Sequence, residues 1–178
     1  MLIQRLGLPF SCENPDIDEL PVQGETPEQL VCRLAYLKAT KIAGNHTGTM
    51  VIGSDQVAVL DNEILSKPDS HDQAIIQLGK LSGKSVWFHT GLCLINNISN
   101  TVQSDCINYK VNFRTLSQDE IESYLKSEQP YDCAGSFKSE GLGITLLKSM
   151  TGDDPTALIG LPLIRLSEMF RQEGLALP

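Results

Sequence analysis

One short stretch combines residue types that hydrolytic chemistry uses, Gly53-Ser-Asp-Gln56, which lies between the apolar residues 50–52 and 57–60. The pattern predicts a strand, a tight turn at the two small residues, and a carboxylate, Asp55, at the strand end. Buried strands on either side would hold Asp55 in one position, where it could serve catalysis. Asp55 is therefore the lead candidate for chemistry. Taken alone, the same four residues fit a simple hairpin turn at least as well.

Two lysines and a second polar loop extend this candidate site. Lys38 lies towards the end of the preceding predicted helix, Lys67 precedes a proline after the next turn, and Ser136-Phe-Lys-Ser-Glu-Gly141 forms a glycine-bounded loop. Lysines together with carboxylates near strand ends suggest a phosphorylated ligand that binds with a divalent metal ion. The ordinary alternative for a helical lysine such as Lys38 is a solvated side chain.

Composition limits the class of protein. A chain of 178 residues with 41% hydrophobic residues suits one globular domain, so we expect a single domain over residues 1–178. Its 14 basic and 22 acidic residues give a net charge of -8, which disfavours binding to nucleic acid or to an anionic membrane. An anionic substrate would then need local lysines or a metal ion.

Cysteines, histidines and apolar runs argue against other classes. The five cysteines are odd in number and form no CxxC pair, which is typical of reduced structural thiols in a cytoplasmic protein. The three histidines lack metal-ligand spacing, which argues against a zinc site. No apolar run approaches the ~20 residues of a membrane span, and the N-terminus lacks a signal-peptide pattern. We therefore expect a cytoplasmic protein with no membrane partner.

Capping signals and periodicity place secondary structure around these residues. The capping sequences that begin at Thr26, Ser70 and Ser117 predict helices to about residues 43, 81 and 127. Alternating apolar residues predict strands over 85–95 and 101–114, with a further strand over 144–147 before a final helix. Residues 2–6 resemble the end of an amphipathic α-helix, and residues 9–25 a short strand with an acidic loop. This mixed order favours an α/β (mixed α+β) sheet with helices on both sides.

With these residues placed, the chain resembles the Maf family of nucleotide pyrophosphatases, and within it the subgroup that acts on 7-methyl-GTP. The similarity is extensive, and the two long motifs at this separation are specific. The matching residues are Asp18-Glu19, Gln29-Leu-Val31, Arg33-Leu-Ala35, Lys38-Ala39, Ile52-Gly-Ser-Asp-Gln-Val57, Lys67-Pro68, Cys133-Ala-Gly-Ser-Phe-Lys-Ser-Glu-Gly141 and Gly160-Leu-Pro-Leu163.

The resemblance implies an activity, a cofactor and a fold. The activity is hydrolysis of a nucleoside triphosphate between its α- and β-phosphates, which removes modified nucleotides as the monophosphate and pyrophosphate. The cofactor is a divalent cation, Mg²⁺, Mn²⁺ or Co²⁺. The fold is a twisted mixed sheet flanked by helices, like that of inosine triphosphate pyrophosphatase. The partner is a small-molecule nucleotide, and a homodimer is left open.

The resemblance also implies roles for individual residues. Asp55 would accept a proton from the attacking water or help to hold the metal, and Lys38 and Lys67 would bind the phosphates. Glu19 would be a second metal ligand, although residues in an acidic loop are usually just solvated. Gln56 and Glu140 match positions that the family uses for base choice. A carboxylate accepts well from the N1–H and N2–H donors of guanine and also suits the cationic 7-methylated base. The alternative for Glu140 is a plain surface-loop residue.

The sequence departs from the family pattern at its start, and it leaves two alternative functions open. Family members begin with a strand and a Ser-x-Ser-Pro-x-Arg-Arg loop, whereas this sequence begins within the following helix. We therefore expect the 178-residue form to lack the first strand of the family, to be less stable and to hydrolyse its substrate poorly. The alternatives are a catalytically weak nucleotide-binding regulator of cell division or septation, and a pyrophosphatase for other modified nucleotides.

Overall fold

The computed structural model describes residues 2–177, and within that range four α-helices and five strands form the framework. The helices are α1 (Pro27–Ala43), α2 (His71–Leu81), α3 (Gln118–Glu128) and α4 (Leu163–Gln172). The strands are β1 (Met50–Leu60), β2 (Glu63–Leu65), β3 (Ser85–Asn96), β4 (Thr101–Phe113) and β5 (Leu147–Thr151). None of these helices has the length and apolar character that crossing a bilayer requires.

The five strands form one sheet in the order β2-β1-β3-β4-β5. β2 returns antiparallel to β1 through the turn at Asp61 and Asn62, both of which have positive φ. β5 pairs antiparallel with β4, with an irregularity between Asn112 and Phe113. Helices and strands thus alternate irregularly along the chain, and the predicted mixture of α and β structure is confirmed.

The predicted helix starts follow from local capping. Thr26 accepts a hydrogen bond from the backbone of Gln29, whose side chain accepts one from the backbone of Thr26. Ser117 and Glu120 form the same reciprocal pair at the start of α3, and Ser70 caps α2. These bonds satisfy backbone N–H groups that have no partner within the helix, which explains why the helices begin where the sequence indicates.

β1 corrects the prediction of a turn at Gly53-Ser-Asp-Gln56. The strand continues without a break from Met50 to Leu60, so Asp55 lies within a strand and not at its end. A Cβ atom at Gly53 would lie 2.7 Å from the backbone nitrogen of Ala39 and closer still to the carbonyl oxygen of Ala35. Glycine is therefore required by the close packing of β1 against α1 and not by a change of chain direction.

Three further predictions of local structure are wrong. Residues 2–6 form a 3-10 helix instead of the predicted end of an α-helix, and Gly7 follows it with a φ of +67°. Residues 9–25 contain no strand, since this largely exposed segment holds three prolines that cannot donate to a ladder. Residues 142–146 form a 3-10 helix, and β5 begins only at Leu147.

The chain divides into two compact units. The first unit comprises the residues up to Gln56, His89–Ile107 and the residues from Asp154 onward, and the second comprises Val57–Phe88 and Asn108–Asp153. A single domain over residues 1–178 stays a prediction.

In the first unit, apolar residues cover both faces of the sheet. Val51, Cys93 and Ile95 pack with Ala35 and Ala39 of α1. On the other face, Leu92 and Leu94 pack with residues of α4 and with Ile3; the α4 residues are Leu163, Leu166, Met169 and Phe170. Successive strand residues point to opposite faces, so Gly53 and Asp55 share the α1 face with Val51, while Ser54 and Gln56 share the α4 face.

The second unit is built around aromatic and leucine side chains. Phe137 contacts Phe113 at a ring-centroid distance of 5.4 Å and Phe88 at 5.9 Å. Leu78, Leu81, Leu125 and Leu146 are among its fully buried side chains. The chain between α3 and β5, which carries Glu140, therefore has a buried anchor at Phe137.

Candidate active site

The structure brings three of the predicted site residues together in the first unit. The Lys38 ammonium lies 2.7 Å from Asp55 Oδ1 and 2.7 Å from Glu19 Oε1. The Lys38 and Asp55 side chains are 19% and 11% exposed, whereas that of Glu19 is 55% exposed. Lys38 is thus not a plain solvated lysine, and Glu19 reaches it from a segment of the chain that precedes α1.

Close packing explains how Asp55 reaches Lys38. Gly53 lets β1 lie against the backbone of α1 at Ala35 and Ala39. Asp55 is two residues further along β1 on the same face, and Lys38 lies one residue before Ala39 on α1. The short distance between strand and helix therefore places the carboxylate and the ammonium in contact.

Electrostatics fix the protonation state of the lysine. Burial lowers the pKa of Lys38, but its hydrogen bonds to Asp55 and Glu19 outweigh that effect and hold the pKa above its ordinary value. Lys38 is therefore an ammonium group at neutral pH, and the three side chains together carry one net negative charge when both carboxylates are ionised. Such a cluster attracts cations more readily than it attracts a polyphosphate.

Gln56 lies on the opposite face of β1 from this cluster. Its Nε2 donates to Thr90 Oγ1 at 2.9 Å and to the carbonyl oxygen of Ala157 at 2.6 Å, and Thr90 Oγ1 itself donates to that carbonyl at 3.0 Å. A carbonyl oxygen only accepts, so the amide nitrogen must be the atom that faces Ala157. The orientation of Gln56 is therefore set by Thr90 and Ala157.

Lys67 and Glu140 lie in the second unit, and both are exposed. Glu140 belongs to a loop that α3 holds. Lys138 donates from its backbone to the Tyr124 hydroxyl, and Leu142 donates from its backbone to Glu128 Oε2 at 2.7 Å. The structure thus fixes the backbone on either side of Glu140, and the roles predicted for Lys67 and Glu140 stay predictions.

The number and type of the predicted metal ligands, Glu19 and Asp55, can be compared with the usual ligands of Mg²⁺ in proteins. Among residues 2–177 no group of three or more His, Cys, Asp or Glu side chains could hold a metal ion. Mg²⁺ is commonly held by only one or two carboxylates, with substrate phosphates and water as its other ligands. The two carboxylates suit a metal ion that binds together with a nucleotide, and not an all-protein metal site.

Sequence reasoning missed Arg33 and Thr90 as contributors to the site. Arg33 pairs with Glu25, eight residues earlier, and Thr90 meets Gln56 across thirty-four residues. Neither separation follows a helical or strand period, so no local pattern could have indicated these contacts. In the sequence, Arg33 stands out only as part of a motif that resembles the family pattern.

These features define a class of protein with a mixed α and β fold, in which a lysine of α1 bridges a carboxylate of β1 and a second carboxylate. The chain belongs to the family of Maf-like proteins, whose family model matches residues 1–173.

Relatives in this family carry a specific name. The chain is 52% identical over 173 residues to a 7-methyl-GTP pyrophosphatase of Nitrosococcus oceani, covering 97% of this chain and 87% of the relative. It is 53% identical to the protein of the same name from Methylobacillus flagellatus, covering 97% and 90%. A 7-methyl-GTP pyrophosphatase of Pseudomonas syringae pv. tomato is 53% identical over 177 residues, covering 99% and 92%.

Proposed function

We propose that this protein is a 7-methyl-GTP pyrophosphatase, which hydrolyses 7-methyl-GTP to 7-methyl-GMP and pyrophosphate. The contact of Lys38 with both Asp55 and Glu19 carries the proposal, because it joins a base, a phosphate-binding cation and a second carboxylate in one cluster. Relatives of that name share about half of the residues over nearly the whole chain. The same proposal includes a fold like that of inosine triphosphate pyrophosphatase, with helices flanking a twisted sheet.

Asp55 acts as the general base. It takes a proton from the attacking water as the oxygen forms a bond to the α-phosphorus, and the bond from that phosphorus to the bridging oxygen breaks. General-base catalysis by one carboxylate contributes a rate factor of roughly 10²–10⁴. The hydrogen bond from Lys38 holds one carboxylate oxygen of Asp55 in a fixed direction.

Lys38 neutralises charge on the phosphates. Its ammonium has three rotatable donors, so it can donate to a phosphate oxygen while it keeps its hydrogen bond to Asp55. The interaction strengthens as negative charge builds up on the leaving pyrophosphate. Lys67, exposed in the second unit, is proposed to assist in phosphate binding.

A divalent cation bound to the nucleotide would be held by Asp55 and Glu19. When bound, it would neutralise phosphate charge and make the α-phosphorus more electrophilic. The need for this cation follows from the negative charge of the protein and of the cluster itself. The protein carries a net charge of -8, and the cluster of Lys38, Asp55 and Glu19 is itself anionic when both carboxylates are ionised.

Base choice is proposed to involve Glu140 and Gln56. Glu140 is an exposed carboxylate and can accept from the N1–H and N2–H groups of a cationic 7-methylguanine. The Gln56 amide nitrogen is engaged with Thr90 and Ala157, so its carbonyl oxygen is the atom that would accept from a base.

A nucleotide panel tests the proposed function. The purified chain is incubated with Mg²⁺ or Mn²⁺ and 7-methyl-GTP, GTP, UTP or TTP, and pyrophosphate and inorganic phosphate are measured separately. We expect pyrophosphate from 7-methyl-GTP with the highest kcat/KM. In ¹⁸O-labelled water the label should enter 7-methyl-GMP, since water attacks the α-phosphorus. Release of inorganic phosphate in place of pyrophosphate, or no hydrolysis of any nucleotide, would overturn the proposal.

A further inference from the structure

The segment that carries Glu19 has little hydrophobic anchoring. Residues 8–25 form neither helix nor strand, and Leu20 and Val22 are 73% and 57% exposed. Burial of apolar side chains is the main favourable contribution that fixes a chain segment in a folded protein. The position of Glu19 must therefore depend largely on polar contacts.

Arg33 supplies a concentrated set of such contacts. Its Nε donates to Glu25 Oε1 at 2.6 Å, while its Nη2 donates to Glu25 Oε2 at 2.9 Å and to the carbonyl oxygen of Leu20 at 3.1 Å. Glu25 Oε2 also accepts from the backbone of Val22 at 3.1 Å. The guanidinium group thus contacts the segment at Glu25 and Leu20, and it meets Glu25 with the paired geometry that arginine forms with a carboxylate. Glu25 in turn holds the backbone at Val22.

The pair is well placed to hold its geometry. The Glu25 side chain is only 9% exposed and that of Arg33 28% exposed. The hydrogen bond from Arg33 lowers the pKa of Glu25, so the carboxylate stays ionised at neutral pH. A lysine in this position could not form the same fork, because its ammonium is a single point of charge.

The helix α1 connects this pair to the candidate active site. Arg33 and Lys38 lie on the same helix, so the separation between them is fixed. Arg33 holds the backbone at Leu20, and Glu19, the preceding residue, reaches Lys38 at 2.7 Å. We infer that Arg33 is a positioning residue, which holds residues 20–25 against α1 so that Glu19 contacts Lys38 beside Asp55. The inference rests on the proposed function for the role of Glu19 in catalysis.

Two variants and a matched control test the inference. Arg33→Met removes the fork, and Arg33→Lys keeps only its charge. Arg114→Met is the control, because Arg114 also contacts a glutamate, Glu120, at 2.6 Å and its side chain is 35% exposed. Hydrogen exchange of residues 18–25 and kcat/KM for 7-methyl-GTP are measured in each.

We expect exchange in residues 18–25 to accelerate on the order of tenfold in Arg33→Met, and kcat/KM to fall by roughly 10- to 100-fold, the usual effect of losing a positioning contact. In Arg33→Lys, the exchange rate and kcat/KM should both lie between the values for the wild type and for Arg33→Met. Arg114→Met should change neither quantity. Combining Arg33→Met with Glu19→Gln should reduce kcat/KM no further than Glu19→Gln alone. Arg33 is proposed to act through Glu19, so both changes remove the contribution of the Glu19 carboxylate.

Two results would overturn the inference. One is unchanged exchange of residues 18–25 in Arg33→Met, and the other is a loss of activity that adds to that of Glu19→Gln. The proposed function fails separately, when the wild-type protein releases no pyrophosphate from 7-methyl-GTP. In that case the exchange measurement alone decides whether Arg33 holds the segment.

Discussion

Asp55 and Gln56 are adjacent in the sequence but project to opposite faces of β1. Asp55 contacts Lys38 of α1 at 2.7 Å, whereas Gln56 donates to Thr90 of β3 and to Ala157, which lies before α4. Successive side chains of a continuous strand point to opposite faces, which separates Asp55 from Gln56. Gly53 and Ser54, two residues earlier, are divided between the same two faces. The cluster proposed for phosphate chemistry is therefore on one face, and the contacts that fix Gln56 are on the other.

The first prediction concerns Gln56 as a link between β1, β3 and the chain before α4. Gln56→Met keeps the length of the side chain but removes both donors. The buried Thr90 and Ala157 then each lose a hydrogen-bond partner. We therefore expect the free energy of unfolding to fall by about 1–3 kcal/mol, which lowers Tm by about 3–10 °C. Calorimetry checks it, with the exposed Gln118→Met as control. An unchanged Tm together with a lost preference for 7-methyl-GTP would show that Gln56 acts only on the base.

The second prediction concerns competition between Lys38 and a metal ion for the same carboxylates. Lys38→Met should bind Mn²⁺ roughly tenfold more tightly than the wild type in the absence of nucleotide, because a cation no longer faces an ammonium group. The same variant should hydrolyse 7-methyl-GTP poorly. Titration calorimetry with Mn²⁺ measures the affinity. Equal or weaker binding in Lys38→Met would mean that Asp55 and Glu19 do not hold the metal.

The third prediction concerns base choice by Glu140. Glu140→Gln should lower kcat/KM for 7-methyl-GTP by an amount equivalent to ~1–3 kcal/mol, with a smaller change for UTP, because the amide lacks the charge that favours the cationic base. Glu63→Gln, another exposed glutamate of the second unit, is the control. Equal losses with every nucleotide would count against a role for Glu140 in base recognition.

The fourth prediction concerns acid stability and Glu173. Thr101, Asn96, Ser99 and Gln103 donate to its carboxylate, and these hydrogen bonds lower its pKa to about 2. Because the folded-state pKa is depressed, the stabilisation is complete above the ordinary pKa of about 4.5 and is lost as the pH falls through about 2.

Glu173→Gln should therefore lower Tm at pH 7 and by the same amount at pH 6, and the difference from the wild type should shrink between pH 4.5 and pH 2. Melting curves across that range check it. A difference in Tm that stays constant down to pH 2 would show that the charge of Glu173 is not what stabilises the fold. Glu168→Gln, which alters an exposed partner of Arg165, provides a comparison.

The helices of this fold were predictable because their starting signals are local. The capping pairs Thr26 with Gln29 and Ser117 with Glu120 act over three residues, so the sequence displays them directly. The start of α4 is different. Its backbone N–H group at Ile164 is capped by Asp154, ten residues earlier, through a bond of 2.7 Å. A cap over that distance depends on the path of the chain and has no fixed spacing in the sequence.

The candidate site was predicted in part, for a related reason. Residue types and the family resemblance singled out Asp55, Lys38 and Glu19, and the structure places these three together. The turn predicted at Gly53 was wrong, because glycine serves close packing as well as turns and local sequence cannot distinguish the two uses. The role of Arg33 is not visible in the sequence, because its contacts with Glu25 and Leu20 appear only in three dimensions.

The most direct test of the central claim is pyrophosphate release from 7-methyl-GTP by Asp55→Asn. The matched control is Asp61→Asn, at an exposed turn with positive φ that asparagine tolerates. We predict that Asp55→Asn lowers kcat by roughly 10²–10⁴ while the protein stays folded, and that Asp61→Asn keeps wild-type turnover. Near wild-type turnover by a folded Asp55→Asn protein would contradict the assignment of Asp55 as the catalytic base.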